Sequence, residues 1–300
     1  MTWDNTPFDI VRHLTGITLK DALSQSLVRI GDKTDKSAPI FHFSHANGYA
    51  PRTYSQFLKF YQATHQVVAS QHRPLWRPGL NPEATKSWQS FSDDILLSLG
   101  TIDEPVTSVG HSMGSAAIAM AAAQRPEHFR HLVLIEPVLV PWSYYLMLSL
   151  FGKHLAYRVP LVSRTLNRVD SWDSAERCFA HFRPKGVFKK ISDEGLWDYV
   201  NHGTFTDDEG RLRLVYSKEW EARCYLLVHN VWKILAQMKL PVLIIRAGDS
   251  NTFTAASMLK LQKLAPQHSY LEIPGAGHLL PFEKPQRLAQ EISAWLAAQP

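Results

Sequence analysis

Ser112 sits in the middle of Gly110-His111-Ser112-Met113-Gly114, a Gly-x-Ser-x-Gly spacing that can turn a serine hydroxyl into an acyl-transfer nucleophile. The chemistry accounts for the residue types. A turn sharp enough to lift Oγ clear of its surroundings leaves no room for side chains at 110 and 114. A helix starting at Met113 aims its unpaired N–H groups, and the positive end of its dipole, at the charge that develops during acyl transfer. The bare spacing turns up by accident in a chain of this length with a probability on the order of 0.1, the alternative being an ordinary Gly-rich turn, so the flanks carry weight. They fit: Pro105-Val106 begins a short apolar run, and Ala117-Ile118-Ala119-Met120-Ala121-Ala122-Ala123 reads as a buried helix.

A serine nucleophile needs a base. Pro274-Gly275-Ala276-Gly277-His278-Leu279-Leu280-Pro281 follows the last strand pattern, and its small residues let a loop fold back across a sheet's end. Of the fourteen histidines, His278 is therefore the candidate to take the Ser112 proton and return it to a leaving group. His42 and His45, three apart on a presumed strand, point to opposite faces and cannot share a metal ion. No phosphate-cradling loop or dinucleotide fingerprint is present either.

The elements that must position these residues alternate. Strand patterns at Pro39–Ser44, His65–Ser70, His131–Ile135, Leu240–Gly248 and Tyr270–Ile273 are separated by helical spacings at Tyr54–Tyr61, Ser87–Leu99, Ala255–Leu264 and Gln286–Ala297. Continuous apolar strands between helices predict a mostly parallel sheet covered on both faces. Ile17–Leu19 and Ser26–Ile30 read as two short edge strands. After Pro137 the alternation stops for about a hundred residues, an aromatic-rich stretch that reads as mostly helical.

Composition sets the limits. With 45% hydrophobic and 20% charged residues, 300 residues suit a globular chain with a sizeable core. The net charge of +5 is dispersed: the basic run Arg183–Lys190 lies near the acidic run Asp207-Asp208-Glu209, so a solvated surface is expected and nucleic acid is not. Cys178 and Cys224 form neither a CxxC pair nor a secretory framework, and the N-terminus lacks a signal-peptide pattern. The most apolar window, Val138–Phe151, is interrupted by Pro141 and too short for a stable membrane span. A cytoplasmic location is the expectation.

On its elbow and histidine motifs the chain resembles the α/β-hydrolase-fold superfamily over nearly its whole length, with His45-Ala46-Asn47-Gly48 standing where that superfamily has a His-Gly turn after its third strand. The resemblance implies a core formed by 1–137 plus 239–300, with 138–238 inserted as a helical cap. It also implies oxyanion donors at the backbone N–H of Met113 and Asn47; Ala46 replaces the usual glycine. The acid has two candidates. In the superfamily's commonest spacing its position falls on Asn251, which carries no charge, with Asp249 two residues early. In some haloalkane dehalogenases the acid follows the strand after the elbow helix, and here that residue is Glu136, whose place at the end of a buried apolar strand calls for a partner. Unlike those enzymes, which attack with aspartate, this chain presents a serine and so points to a carbonyl substrate. The implied activity is cofactor-free and metal-free hydrolysis of a small-molecule ester; the same triad also permits carbon–carbon bond hydrolysis or perhydrolysis, and a catalytically inactive ligand-binding module is the remaining alternative. Tyr49, His111, Trp142 and Phe253 are the candidates to line the pocket. The oligomeric state stays open.

Overall fold

Two parallel strands in the middle of the sheet, β4 (Val106–His111) and β5 (Phe129–Ile135), set the frame in the computed structural model, which describes residues 17–31, 35, 37–77, 79–140, 159–227 and 229–299. Around them lie β1 (Leu27–Arg29), β2 (Ile40–Ser44), β3 (Gln66–Ser70), β9 (Val242–Ala247) and β10 (Ser269–Ile273), in the order β1-β3-β2-β4-β5-β9-β10. Within this sheet, among the described residues, only β1 runs antiparallel to its neighbour. The apolar strands show why both faces must be covered. Leu132 and Leu134 of β5 join one buried cluster with Phe91, Ile95 and Met120, while Val133 and Ile135 join another with Phe43, Phe57 and Ile292. That is the two-residue period of a strand buried on both sides.

The first cluster is closed by α2 (Gln89–Leu99), α3 (Met113–Gln124) and α9 (Ala255–Leu264), the second by α10 (Pro285–Ala297) and by a 3-10 turn Pro51–Tyr54 that runs into one helical turn, Ser55–Leu58. The amphipathic helix expected at Tyr54–Tyr61 is thus shorter and tighter. Its apolar spacing still does its work, since Tyr54, Phe57, Leu58 and Tyr61 are all buried. A second difference lies at the start of the described chain. Ile17–Leu19 is no edge strand: α1 (Leu19–Ser26) begins there, because Thr18 is its N-cap, its hydroxyl accepting from the Asp21 N–H and donating to the Asp21 carboxylate.

The stretch between β5 and β9 is not purely helical. It holds α4 (Pro160–Leu166), α5 (Ala175–Phe182), α6 (Asp193–Gly203), α7 (Lys218–Leu226) and α8 (Trp232–Gln237), but also a small antiparallel sheet of β6 (Ser171–Trp172), β7 (Thr204–Thr206) and β8 (Leu212–Leu214) in the order β6-β8-β7. Strands of two or three residues give too short an alternation to read from sequence. The acidic run is the β7–β8 turn, where Gly210 takes a positive φ of 77° and Asp207 pairs with Arg213 at 2.6 Å. Serine N-caps at 174, 192 and 217 start α5, α6 and α7. Among the described residues no helix is long and apolar enough to cross a membrane, and Cys178 and Cys224 are free and buried.

Candidate active site

Sheet register puts two of the candidate residues side by side. His111 of β4 is the partner of Ile135 of β5, so the residues that follow them, Ser112 and Glu136, leave adjacent strands at the same level. Both leave in the left-handed region, Ser112 at φ 57° and Glu136 at φ 50°, where a side chain costs on the order of 1–3 kcal/mol. Backbone bonds fix these turns: Ser112 N–H donates to Ile135 O at 2.9 Å, and Glu136 N–H to Ile245 O at 2.8 Å. The glycines behave as the motif requires. A Cβ on Gly114 would lie 2.2 Å from Ser44 O, and one on Gly110 would lie 2.7 Å from the Gly114 backbone.

His278 reaches this point from the loop after β10. Its Nε2 lies 2.9 Å from Ser112 Oγ and its Nδ1 3.0 Å from Glu136 Oε2. With Nδ1 protonated toward the carboxylate, Nε2 keeps a lone pair for the serine hydroxyl, the tautomer that general-base chemistry needs. Glu136 is fully buried and its charge is held by donors: Ala247 N–H to Oε1 at 2.6 Å, and the Ser250 hydroxyl to Oε2. Ser112 is 7% exposed, with α3 starting at the next residue. The arrangement can abstract a proton from the hydroxyl, and the N-terminus of α3 can stabilise an oxyanion.

Asp249 is not brought to this group. Its side chain is 53% exposed and pairs with Lys190 at 2.7 Å, and that contact holds its carboxyl below the ordinary range. The reason is local: the strand ends at Ala247, so the chain turns Ser250 inward and Asp249 outward. Ser250 occupies the neighbourhood where the commonest spacing would put the acid and serves as a donor to Glu136 instead. No sequence signal marked it.

Of the four expected pocket residues, two are enclosed within the protein. His111 is completely buried, with Nε2 2.8 Å from His278 O and Nδ1 2.9 Å from Tyr54 Oη, so it is a structural neighbour of the site and not its lining. Phe253 is also completely buried in the core, and its carbonyl accepts from Arg246 Nε at 2.9 Å. Tyr49 is half-buried, its ring packed on Tyr199 at 5.4 Å and on Phe282 at 5.2 Å. Trp142 lies outside the described residues. Among the described residues, several aromatics of the insertion pack on one another: Trp172 with Phe182 at 5.3 Å, Phe179 stacked on Trp197 at 4.5 Å, Phe188 with Tyr199 at 5.1 Å.

The oxyanion-loop candidate, 45–49, is gripped by that insertion. Asn47 Nδ2 donates to Glu221 O at 3.0 Å, and Gly48, at φ 84°, leaves room for the Glu221 carboxylate, which a Cβ would approach to 3.0 Å. Glu221 is 8% exposed and is paired with Arg168 at 2.5 Å and bonded by Tyr225 Oη at 3.1 Å. Among the described residues no group of three or more His, Cys, Asp or Glu side chains is placed to hold a metal ion.

Against known proteins, a model of the family described as alpha/beta hydrolase fold matches residues 93–285. Monoglyceride lipase of Rattus norvegicus is 37% identical over 91 residues, 28% of this chain and 29% of that protein, so the match spans under a third of that relative's length. The sn-1-specific diacylglycerol lipase ABHD11 of Mus musculus is 22% identical over 234 residues, 72% of this chain and 67% of its own. Among solved structures, E-2-(acetamidomethylene)succinate hydrolase is similar with a TM-score of 0.74 at 21% identity, over 91% of this chain and 94% of that one, a likeness of fold.

Proposed function

Because the chain belongs to the α/β-hydrolase fold family, we propose that it is a cofactor-free serine hydrolase of carboxylic esters, acting on a small to medium apolar acyl substrate. One observation carries this reading: the unbroken contact from Ser112 Oγ through the His278 imidazole to the buried Glu136 carboxylate, at 2.9 and 3.0 Å. Ser112 attacks the ester carbonyl while His278 Nε2 takes its proton, and Glu136 steadies the imidazolium. The oxyanion sits against the N–H groups of Met113 and Asn47. Collapse expels the alcohol, which receives the proton from Nε2, and leaves an acyl group on Ser112. Water, deprotonated by the same imidazole, then releases the acid and restores the serine. The inserted segment 138–238 serves as a cap over the site. With the described aromatics of that segment packed on one another, the choice of an ester substrate draws on the lipase activities named for the relatives.

A fluorophosphonate probe tests the reading. Labelling of the wild-type protein and none of Ser112→Ala supports it, and an unlabelled, folded wild type overturns it. A series of p-nitrophenyl esters of graded acyl length then measures substrate class. Intact labelling with no turnover of any ester would move the assignment to carbon–carbon bond hydrolysis or perhydrolysis.

A further inference from the structure

Beside the reacting atoms lies a second set of hydrogen bonds whose direction is fully determined. His111 Nε2 faces a backbone carbonyl, His278 O, at 2.8 Å, and a carbonyl only accepts, so Nε2 carries the proton. The ring is completely buried, and burial followed by the neighbouring His278 drops its pKa to about 3, so it stays neutral and Nδ1 keeps a lone pair. Tyr54 Oη, 2.9 Å from Nδ1, is therefore the donor there. The Tyr54 oxygen in turn accepts from Ala46 N–H at 3.1 Å. Tyr54 Oη and the His111 ring each bridge two partners, accepting from one and donating to the other.

The path joins two loops that must meet at the nucleophile. Ala46 immediately precedes Asn47, whose N–H is the proposed oxyanion donor, and His278 carries the proposed base. Their common anchor, His111, is the residue next to Ser112. Resting on the reaction proposed above, we infer that His111 and Tyr54 are positioning residues: through Ala46 N–H→Tyr54 Oη–H→His111 Nδ1 and His111 Nε2–H→His278 O, they hold the oxyanion loop and the base loop in register with the elbow. The buried side chain at the variable position of the motif thus has a specific task. A displacement of about 1 Å at a reacting group can cost on the order of a hundredfold in rate, so loss of the anchor is expected in kcat and not in KM.

His111→Leu removes both polar atoms. His111→Gln keeps an amide N–H for His278 O and a carbonyl oxygen for Tyr54. Tyr54→Phe cuts the branch to Ala46 alone. With a p-nitrophenyl ester, His111→Leu is expected to lose at least about tenfold in kcat with KM within about threefold of wild type. His111→Gln is expected to regain most of that loss, and Tyr54→Phe to fall between. His111→Leu with Tyr54→Phe should be no worse than His111→Leu alone. Leu and Gln variants that both match wild type, or that are equally impaired, would overturn the inference, the second result leaving only a packing role; if His111→Leu does not fold, unchanged kcat in Tyr54→Phe does so. The 15N resonances of the His278 ring give a readout independent of turnover. The Nδ1-protonated pattern should persist in His111→Gln and in Tyr54→Phe, which keeps the bond to His278 O, and average toward mixed tautomers in His111→Leu. The same pattern in all variants rejects the positioning role even should the protein turn over no ester, whereas absent turnover with the expected NMR changes would count against the proposed reaction alone.

Discussion

Glu136 and Asp249 are carboxylates that sequence spacing left in competition, and their surroundings separate them. One is buried and meets Ala247 N–H, the Ser250 hydroxyl and His278 Nδ1; the other is exposed on a lysine. Glu136→Gln is expected to lower kcat by about three to four orders of magnitude, because an amide at this position cannot stabilise the imidazolium and can impose the wrong tautomer. Asp249→Asn should stay within about threefold of wild type, since an exposed pair of this kind contributes little. Steady-state kinetics on the two variants decides between them, and a reversed order would reassign the acid. Gly114 is the sharper structural case. With Ser44 O only 2.2 Å from where a Cβ would be, Gly114→Ala must push apart β2 and the first turn of α3. Thermal unfolding should show a loss of several kcal/mol, or no folded protein at all.

Among the elements, the loop after β3 depends on a buried ion pair. Arg73 meets Asp94 of α2 through Nη2 at 2.7 Å and Nε at 3.1 Å, and its own N–H adds a third contact at 2.9 Å. Their side chains are 9% and 1% exposed. Asp94→Asn would leave the guanidinium buried without its counter-charge, at a cost of about 3–5 kcal/mol readable by urea denaturation. A change below about 1 kcal/mol would mean that water reaches the pair. The same loop carries His72, whose N–H donates to His45 Nε2 at 3.2 Å, so this helix-to-loop clamp supports the oxyanion-loop candidate from below while Glu221 holds it from the insertion.

For the molecule as a whole, buried neutral histidines govern the response to acid. His42 lies between the hydroxyls of Ser108 and Ser70, 2.7 Å from each, and burial drops its pKa to about 3. Burial also drops His45 to about 4, and His111 to about 3 with a smaller contribution from His278. In the unfolded chain such side chains take up protons near pH 6.5, whereas in the fold they stay neutral, so between about pH 6.5 and 4 the unfolded state binds more protons. Stability is therefore complete above that window and falls as the pH drops through it, with a slope of up to about 1.4 kcal/mol per pH unit for each histidine. Urea midpoints at pH 7.5, 6.5 and 5.5 should decline in that order; a flat series would show that these rings are solvated.

Local chemistry and hydrophobic period were legible in the chain. Gly-x-Ser-x-Gly, the glycine-framed His278 and the alternating apolar strands predicted an elbow, a returning histidine and a doubly covered parallel sheet, because backbone sterics and burial act over a few residues at a time. The Thr18 cap is a local signal too, and it overrides the strand expected at Ile17–Leu19. What tertiary structure alone decided was proximity between distant segments. The register of β4 with β5 sets Glu136 beside Ser112, the turn after Ala247 sends Ser250 inward and Asp249 out to Lys190, and burial makes His111 a hydrogen-bonded anchor where the motif suggested pocket lining. None of these follows from spacing, since a carboxylate or an imidazole acquires its role from the groups that share its space once the sheet is assembled.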